Sequence, residues 1–196
     1  MNDSGDDSNV TGRVNSRRVY TGRVINLDVD DVRFPDGSVG ELEIIRHPGA
    51  SAIVPILGDP NAADPELVLI RQYRYAAGGY VYEIPAGRLN EGEAPQECAA
   101  RELVEETGYR AGQVEHLYTM FTTPGFTDER IHLFRATDLH DGPAAREPDE
   151  FMSVERMSLS KALGLIRNGE ISDSKTALAI LYAAQFGISA GDGTGK

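Results

Sequence analysis

Tryptophan is missing from the 196 residues, cysteine occurs once, and aromatic residues make up only 7% of the chain. The single thiol, Cys98, cannot close a disulfide within the chain or assemble a zinc cage of several thiolates, which agrees with a reducing compartment. Set among small residues of a helical pattern, Cys98 reads as a buried structural thiol. No apolar run approaches the roughly 20 residues that cross a bilayer, so no membrane partner is expected. The opening stretch "MNDSGDDSNV" is acidic and polar, without the basic flank and apolar core of a secretory signal; a cytoplasmic protein is expected. Positive charge is also scarce, with 19 Lys and Arg against 31 Asp and Glu and a net charge of -12. That balance opposes a general nucleic-acid role, which depends on a basic surface that displaces counterions. A phosphate-bearing ligand would have to be met with recruited cations.

What is present fits one globular domain with ragged ends. Residues 1–16 and 187–196 are rich in Gly, Ser, Asp and Asn and read as flexible tails. Residues 17–47 alternate like antiparallel strands, with "PDGS" supplying a turn, and form an N-terminal β extension to a main domain over 48–186. "SAIVPIL", "LVLIRQYRY", "VYEIPAG", "HLYTMF", "RIHLFRATDL" and "FMSVERMSL" carry strand signals, and "SKALGLIRNG" and "DSKTALAILYAAQF" carry helical ones. Many early strands with few interposed helices predict a mixed sheet covered by helices.

The chemistry concentrates in "GRLNEGEAPQECAARELVEETGY", residues 87–109. Pro95 suits a first helical turn, Ala99, Ala100 and Leu103 recur at helical spacing, and Gly108 stands where helices terminate, which predicts a helix from Ala94 to Thr107. Positions three and four apart share a face, so Glu102 projects beside Glu105 and Glu106. A solvated acidic face is the common outcome for such a run. Here the acids crowd the C-terminal half of the helix, where the macrodipole disfavours negative charge, and the preceding loop is rich in Gly and Pro. Arg101, four residues before Glu105, neutralises only part of this charge, whereas hard divalent cations bound through oxygen would offset the rest.

Gly87, five intervening residues, Glu93, seven more, then Arg101-Glu102-Leu103-Val104-Glu105-Glu106-Thr107-Gly108-Tyr109 resembles the Nudix box of the Nudix hydrolases, with Tyr109 at a position that is usually aliphatic. The resemblance implies an α/β/α sandwich and metal-dependent cleavage of a diphosphate linked to another moiety. It implies Glu102 and Glu106 as principal metal ligands, Glu93 and Glu105 assisting, Arg101 orienting the acids, and the Ala86 carbonyl as a backbone ligand. Two or more Mg²⁺ ions, or Mn²⁺, are the implied cofactors.

The flanks "RQYRYAAGGYVYEIPAG" and "TTPGFTDE", with Pro124 sixteen residues past Gly108, resemble the branch that hydrolyses ADP-ribose and nucleoside-diphosphate sugars. That likeness covers residues 19–186. It implies Arg74 as a substrate contact, a homodimer with N-terminal strands contributing to the partner's site, and a general base on a loop before the last strand. Glu150 is the preferred base, with Glu147 and Asp149 as alternatives. Phe126 is a candidate lining residue of the substrate pocket and Glu129 a candidate hydrogen-bonding group. Tyr20, Tyr73, Tyr75 and Tyr80 are candidates to stack a nucleobase. The four histidines lack metal-ligand spacing and read as structural. The expected activity is hydrolysis of ADP-ribose to AMP and a sugar phosphate. The alternatives are the same fold acting on GDP-mannose, dinucleoside polyphosphates or oxidised nucleotides, or a non-catalytic nucleotide-binding module.

Overall fold

A computed structural model describes residues 11–143 and 151–187. The chain divides into two compact units, one comprising the chain up to Pro48 with Phe121–Arg130, the other Gly49–Met120 with the chain from Ile131 onward.

In the first unit β1 (Gly12–Thr21), β2 (Asn26–Arg33) and β3 (Val39–Arg46) form an antiparallel meander. β1 begins inside the stretch expected to be a tail. Its first residues are polar, yet they pair in register with β2, and Ser16 donates to Asp30 at 2.6 Å. Ladder bonds and side-chain hydrogen bonds order an exposed edge strand without apolar burial. Two buried acids on β2, Asp28 and Asp30, are neutralised from neighbouring strands: Arg18 and Arg46 bind Asp28, and Arg46 also binds Asp30. Contact with Arg18 outweighs burial and holds the Asp28 carboxyl below its ordinary range. Residues 121–130, which the sequence reading placed in the main domain, join this meander: the Ile45 N–H donates to the Phe126 carbonyl at 2.8 Å.

The second unit is built on a seven-stranded sheet in the order β10-β5-β4-β9-β8, with β6 paired to β5 and β7 to β4. Its strands are β4 (Ala50–Leu57), β5 (Glu66–Arg74), β6 (Gly79–Glu83), β7 (Ala86–Arg88), β8 (Arg110–Phe121), β9 (Arg130–His140) and β10 (Met152–Ser158). β4 runs parallel to β9 and antiparallel to β5 and β7, so the sheet is mixed. Side chains along β4 alternate between two cores, as a period of two requires. Ala52, Val54 and Ile56 pack with Ala162 of α2 (Leu159–Arg167) and with Ala179 and Ile180 of α3 (Ser174–Tyr182). Ile53 packs with Ala99 and Leu103 of α1 (Pro95–Thr107) and with Tyr109. One helix on one face and two on the other make the expected α/β/α sandwich. The strand expected over "VYEIPAG" is two strands, because the register breaks at Ile84 and Pro85 between β6 and β7.

Tyr109 at the end of the acidic segment is buried, and its phenol oxygen accepts a hydrogen bond from Arg156, whose guanidinium lies 5.5 Å from the ring centroid. The aromatic substitution for an aliphatic residue therefore ties α1 to β10.

Candidate active site

Helix α1 starts at Pro95, where the Glu97 carboxylate accepts from the Ala94 N–H at 3.3 Å, and ends at Gly108, whose φ of 81° suits glycine and whose N–H donates to the Val104 carbonyl. Seating Ala99 and Leu103 in the core turns Glu102 and Glu106 inward beside them, leaving these residues only 8% and 2% exposed. Glu106 accepts from the Ala86 N–H at 3.1 Å. The Glu102 carboxylate lies where a side chain on residue 87 would begin, so any residue but glycine there would have to displace it.

Arg101 gathers the remaining acids. Its guanidinium donates to Glu93 at 2.7 and 3.0 Å, to Glu102 at 2.6 Å, to Glu105 at 2.9 Å and to the Arg88 carbonyl at 3.1 Å. A planar fork of five donors suits this multiple attachment, which an ammonium would not reproduce. Glu93 also accepts from the Asn90 N–H at 2.9 Å, so both of its oxygens engage protein donors and it fastens the loop to the helix. Chiefly through Arg101, its carboxyl is held down at about 2. The burial expected for Cys98 is present; its Sγ contacts the Gly87 and Arg88 carbonyls, and burial pushes its pKa up to about 11.

Arg74, at the end of β5, binds Glu83 of β6 in a bidentate pair at 2.7 and 2.9 Å. Lys175 of α3 donates to the same Glu83 carboxylate at 2.6 Å and pairs with Asp173 at 3.0 Å. Burial would raise the Glu83 pKa, but Arg74 and Lys175 outweigh it and hold it below the ordinary value. Glu83 is the main cause of a raised Arg74 pKa, with Glu106 and Asp173 also contributing, which places Arg74 within the field of the acidic helix. These groups line a cavity of about 460 Å³ that Val81 and Ser172 also border. Lys175 was not singled out from the sequence. The "DSKT" stretch that carries it is legible as a helix start, but its partner on β6, 92 residues away, is not.

Phe126 and Glu129 belong to the other unit. Phe126 is half exposed, and Glu129 accepts from the Thr122 hydroxyl at 2.9 Å and lies 3.4 Å from His47. Tyr20, Tyr73, Tyr75 and Tyr80 are all exposed, and Tyr73 and Tyr80 meet edge to face at 5.5 Å. The three loop acids considered as general base, Glu147, Asp149 and Glu150, lie outside the described residues.

Among the described residues, no three His, Cys, Asp or Glu side chains form a ready-made metal cage. At the helix the Arg101 fork engages Glu93, Glu102 and Glu105. A hard divalent cation nevertheless fits what is there. Mg²⁺ is commonly bound through one or two carboxylates, with water and substrate phosphates completing its shell. Glu102 and Glu106, one helical turn apart beside the side-chain-free Gly87, supply such a set. Among the described residues, no helix is long and apolar enough to cross a membrane.

Comparison with known proteins agrees with this geometry. The chain is 41% identical over 171 residues to a methanol dehydrogenase activator of Bacillus methanolicus, covering 86% of this chain and 90% of the relative. It is 39% identical over 167 residues to an ADP-ribose pyrophosphatase of Bacillus subtilis (strain 168), covering 84% and 88%. It is 35% identical over 156 residues to a GDP-mannose pyrophosphatase of Salmonella typhimurium, covering 71% and 79%. The fold matches the crystal structure of an ADP compounds hydrolase with a TM-score of 0.76 at 23% identity, over 90% of this chain and 93% of that one. Residues 46–178 match the NUDIX domain, and the chain belongs to the Nudix family, whose members generally use divalent metal ions.

Proposed function

We propose that the protein hydrolyses the diphosphate of ADP-ribose, or of a related nucleoside-diphosphate sugar, to a nucleoside monophosphate and a sugar phosphate. The observation that carries this reading is the pair of buried carboxylates, Glu102 and Glu106, held against Gly87 and Ala86. The chain's likeness to an ADP-ribose pyrophosphatase and to a GDP-mannose pyrophosphatase supports the substrate class.

In this reading Glu102, Glu106 and the Ala86 carbonyl hold two or more Mg²⁺ ions, with Mn²⁺ able to replace them. Bound divalent ions neutralise diphosphate oxygens and acidify water. Arg101 keeps the acidic cluster compact, and Glu93 and Glu105, which it anchors, assist the metal ligands. Arg74, fixed by Glu83, presents its guanidinium to a phosphate oxygen. Glu150 takes the proton from the attacking water, with Glu147 and Asp149 as alternatives. The enzyme works in the cytoplasm as a homodimer.

The test is chromatographic product analysis with Mg²⁺ over ADP-ribose, GDP-mannose, a dinucleoside polyphosphate and an oxidised nucleoside triphosphate. AMP and ribose 5-phosphate as the fastest-formed products support the reading. Preferential release of GMP moves the substrate to GDP-mannose. Tight ADP-ribose binding without any phosphate ester released makes the protein a non-catalytic binder.

A further inference from the structure

Four consecutive residues ahead of the acidic helix are tied among them to β5, α3, β4 and α1. The Glu83 carboxylate takes Arg74 of β5 and Lys175 of α3. The Ile84 N–H donates to the Thr176 hydroxyl of α3 at 2.9 Å. The Pro85 carbonyl accepts from Ile53 of β4 at 2.9 Å, and the Ala86 N–H donates to Glu106 of α1 at 3.1 Å.

The Ile84 attachment is the unusual member. β6 ends at Glu83, so the next N–H has left the ladder and, being buried, needs another acceptor. Thr176 supplies it from a fully buried position. Its hydroxyl proton goes to the Asp173 carboxylate at 2.6 Å, and the same carboxylate oxygen caps α3 by accepting the Thr176 N–H at 3.0 Å. An ordinary helix cap is satisfied within its own helix. This one also reaches across to the strand end two residues before Ala86, and its neighbour Lys175 grips Glu83.

We propose that Thr176 and Lys175 are positioning residues for the hydrolysis: the cap of α3 sets the place of Ala86 and Gly87 against Glu106 and Glu102, and through Glu83 sets the Arg74 guanidinium. The inference rests on the hydrolase reading above. It follows from the tightness of the site. The Glu102 carboxylate stands where a β-carbon on residue 87 would be, so the backbone there runs close against it, and a shift at Ile84 is passed to the carboxylates proposed to bind metal.

The test compares Thr176→Val, Thr176→Ser and Lys175→Met with wild type. It reads kcat and KM on ADP-ribose with Mg²⁺, Mn²⁺ affinity by titration calorimetry, and deuterium uptake over residues 80–90. Thr176→Val keeps the shape and removes the hydroxyl. It is expected to lower kcat and Mn²⁺ affinity roughly 10- to 100-fold, as loss of a group supporting a metal ligand does, and to speed exchange at Ile84. Thr176→Ser, which retains the hydroxyl, restores both to within about threefold, and Lys175→Met raises KM roughly tenfold while changing kcat less. A Thr176→Val protein that melts earlier yet matches wild type in kcat and Mn²⁺ affinity overturns the inference, as does a Ser variant no better than the Val one. Should the Val variant fail to fold, Lys175→Met decides, and an unchanged KM counts against the proposal. A wild type that neither hydrolyses ADP-ribose nor binds Mn²⁺ sinks the hydrolase reading, and the inference with it.

Discussion

The Glu102 carboxylate fills the space that a β-carbon on residue 87 would need. Gly87 leaves room for the carboxylate where it stands. Gly87→Ala must displace either the β7 backbone or a carboxylate held by Arg101. Overpacking of this kind costs about 1 to 3 kcal/mol of stability, and misplacement near 1 Å at a reacting centre costs on the order of 100-fold in rate. Denaturant titration and kcat on ADP-ribose check the two effects, and a variant with wild-type turnover contradicts this account.

Glu106→Gln separates structure from chemistry. The amide oxygen still accepts the Ala86 N–H, so the fold should persist. What goes is the anionic ligand. A metal contribution of several kcal/mol, at about 1.4 kcal/mol per tenfold in rate, predicts a kcat loss of several powers of ten. If turnover stays within about tenfold of wild type, Glu106 is not a principal ligand.

Acid should weaken the metal-free protein through Glu93. Arg101 lowers its carboxyl from the ordinary 4.5 to about 2 in the folded state. A depressed folded pKa means the unfolded chain binds the proton more readily, so the stabilisation is complete above the unfolded value and is lost as pH falls from 4.5 through about 2. Urea titrations in EDTA at descending pH should show Glu93→Gln less stable than wild type at neutral pH. The two should converge toward the acid end. Parallel curves exclude the linkage.

Tyr109→Phe leaves Arg156 without the phenol oxygen but keeps the ring in the core. Loss of one partly buried hydrogen bond predicts about 0.5 to 1.5 kcal/mol of destabilisation. Because Tyr109 serves packing between α1 and β10, kcat should stay near wild type. A large fall in kcat at unchanged stability would give this side chain a chemical role.

Cys98 should be inert in the native protein. It is buried and its pKa is raised to about 11, so almost no thiolate exists at neutral pH. Reaction with a disulfide reagent should proceed only as fast as the site opens and should become rapid in denaturant. Immediate labelling of the folded protein refutes the packing described.

The acidic helix was legible because its information is local. Periodicity placed α1 within one residue of its observed start, and the spacing of Arg101 to Glu105 and of Glu102 to Glu106 already implied a shared, partly neutralised face. Most strands of the main sheet were legible from apolar runs, but the expected "VYEIPAG" strand divides into β6 and β7, and β8 begins at Arg110, six residues before the expected "HLYTMF". β1 was not fully legible, since its first residues carry no apolar signal and are ordered by pairing alone. Nor was the membership of residues 121–130 in the meander unit, which depends on a bridge between Ile45 and Thr127.

The amino-acid order by itself determined the acidic helix and its clustered carboxylates, because these follow from spacing along one element, and the same motif carried the resemblance that implied the family and the sandwich fold. Only the tertiary structure decided that Glu93 fastens a loop through Arg101, that Arg74 is clamped by Glu83 and Lys175, and that Thr176 takes the Ile84 N–H. Arg74 to Lys175 and Ile84 to Thr176 are contacts between segments far apart in the chain, and which partner a buried charge or N–H finds depends on how the sheet brings those segments together.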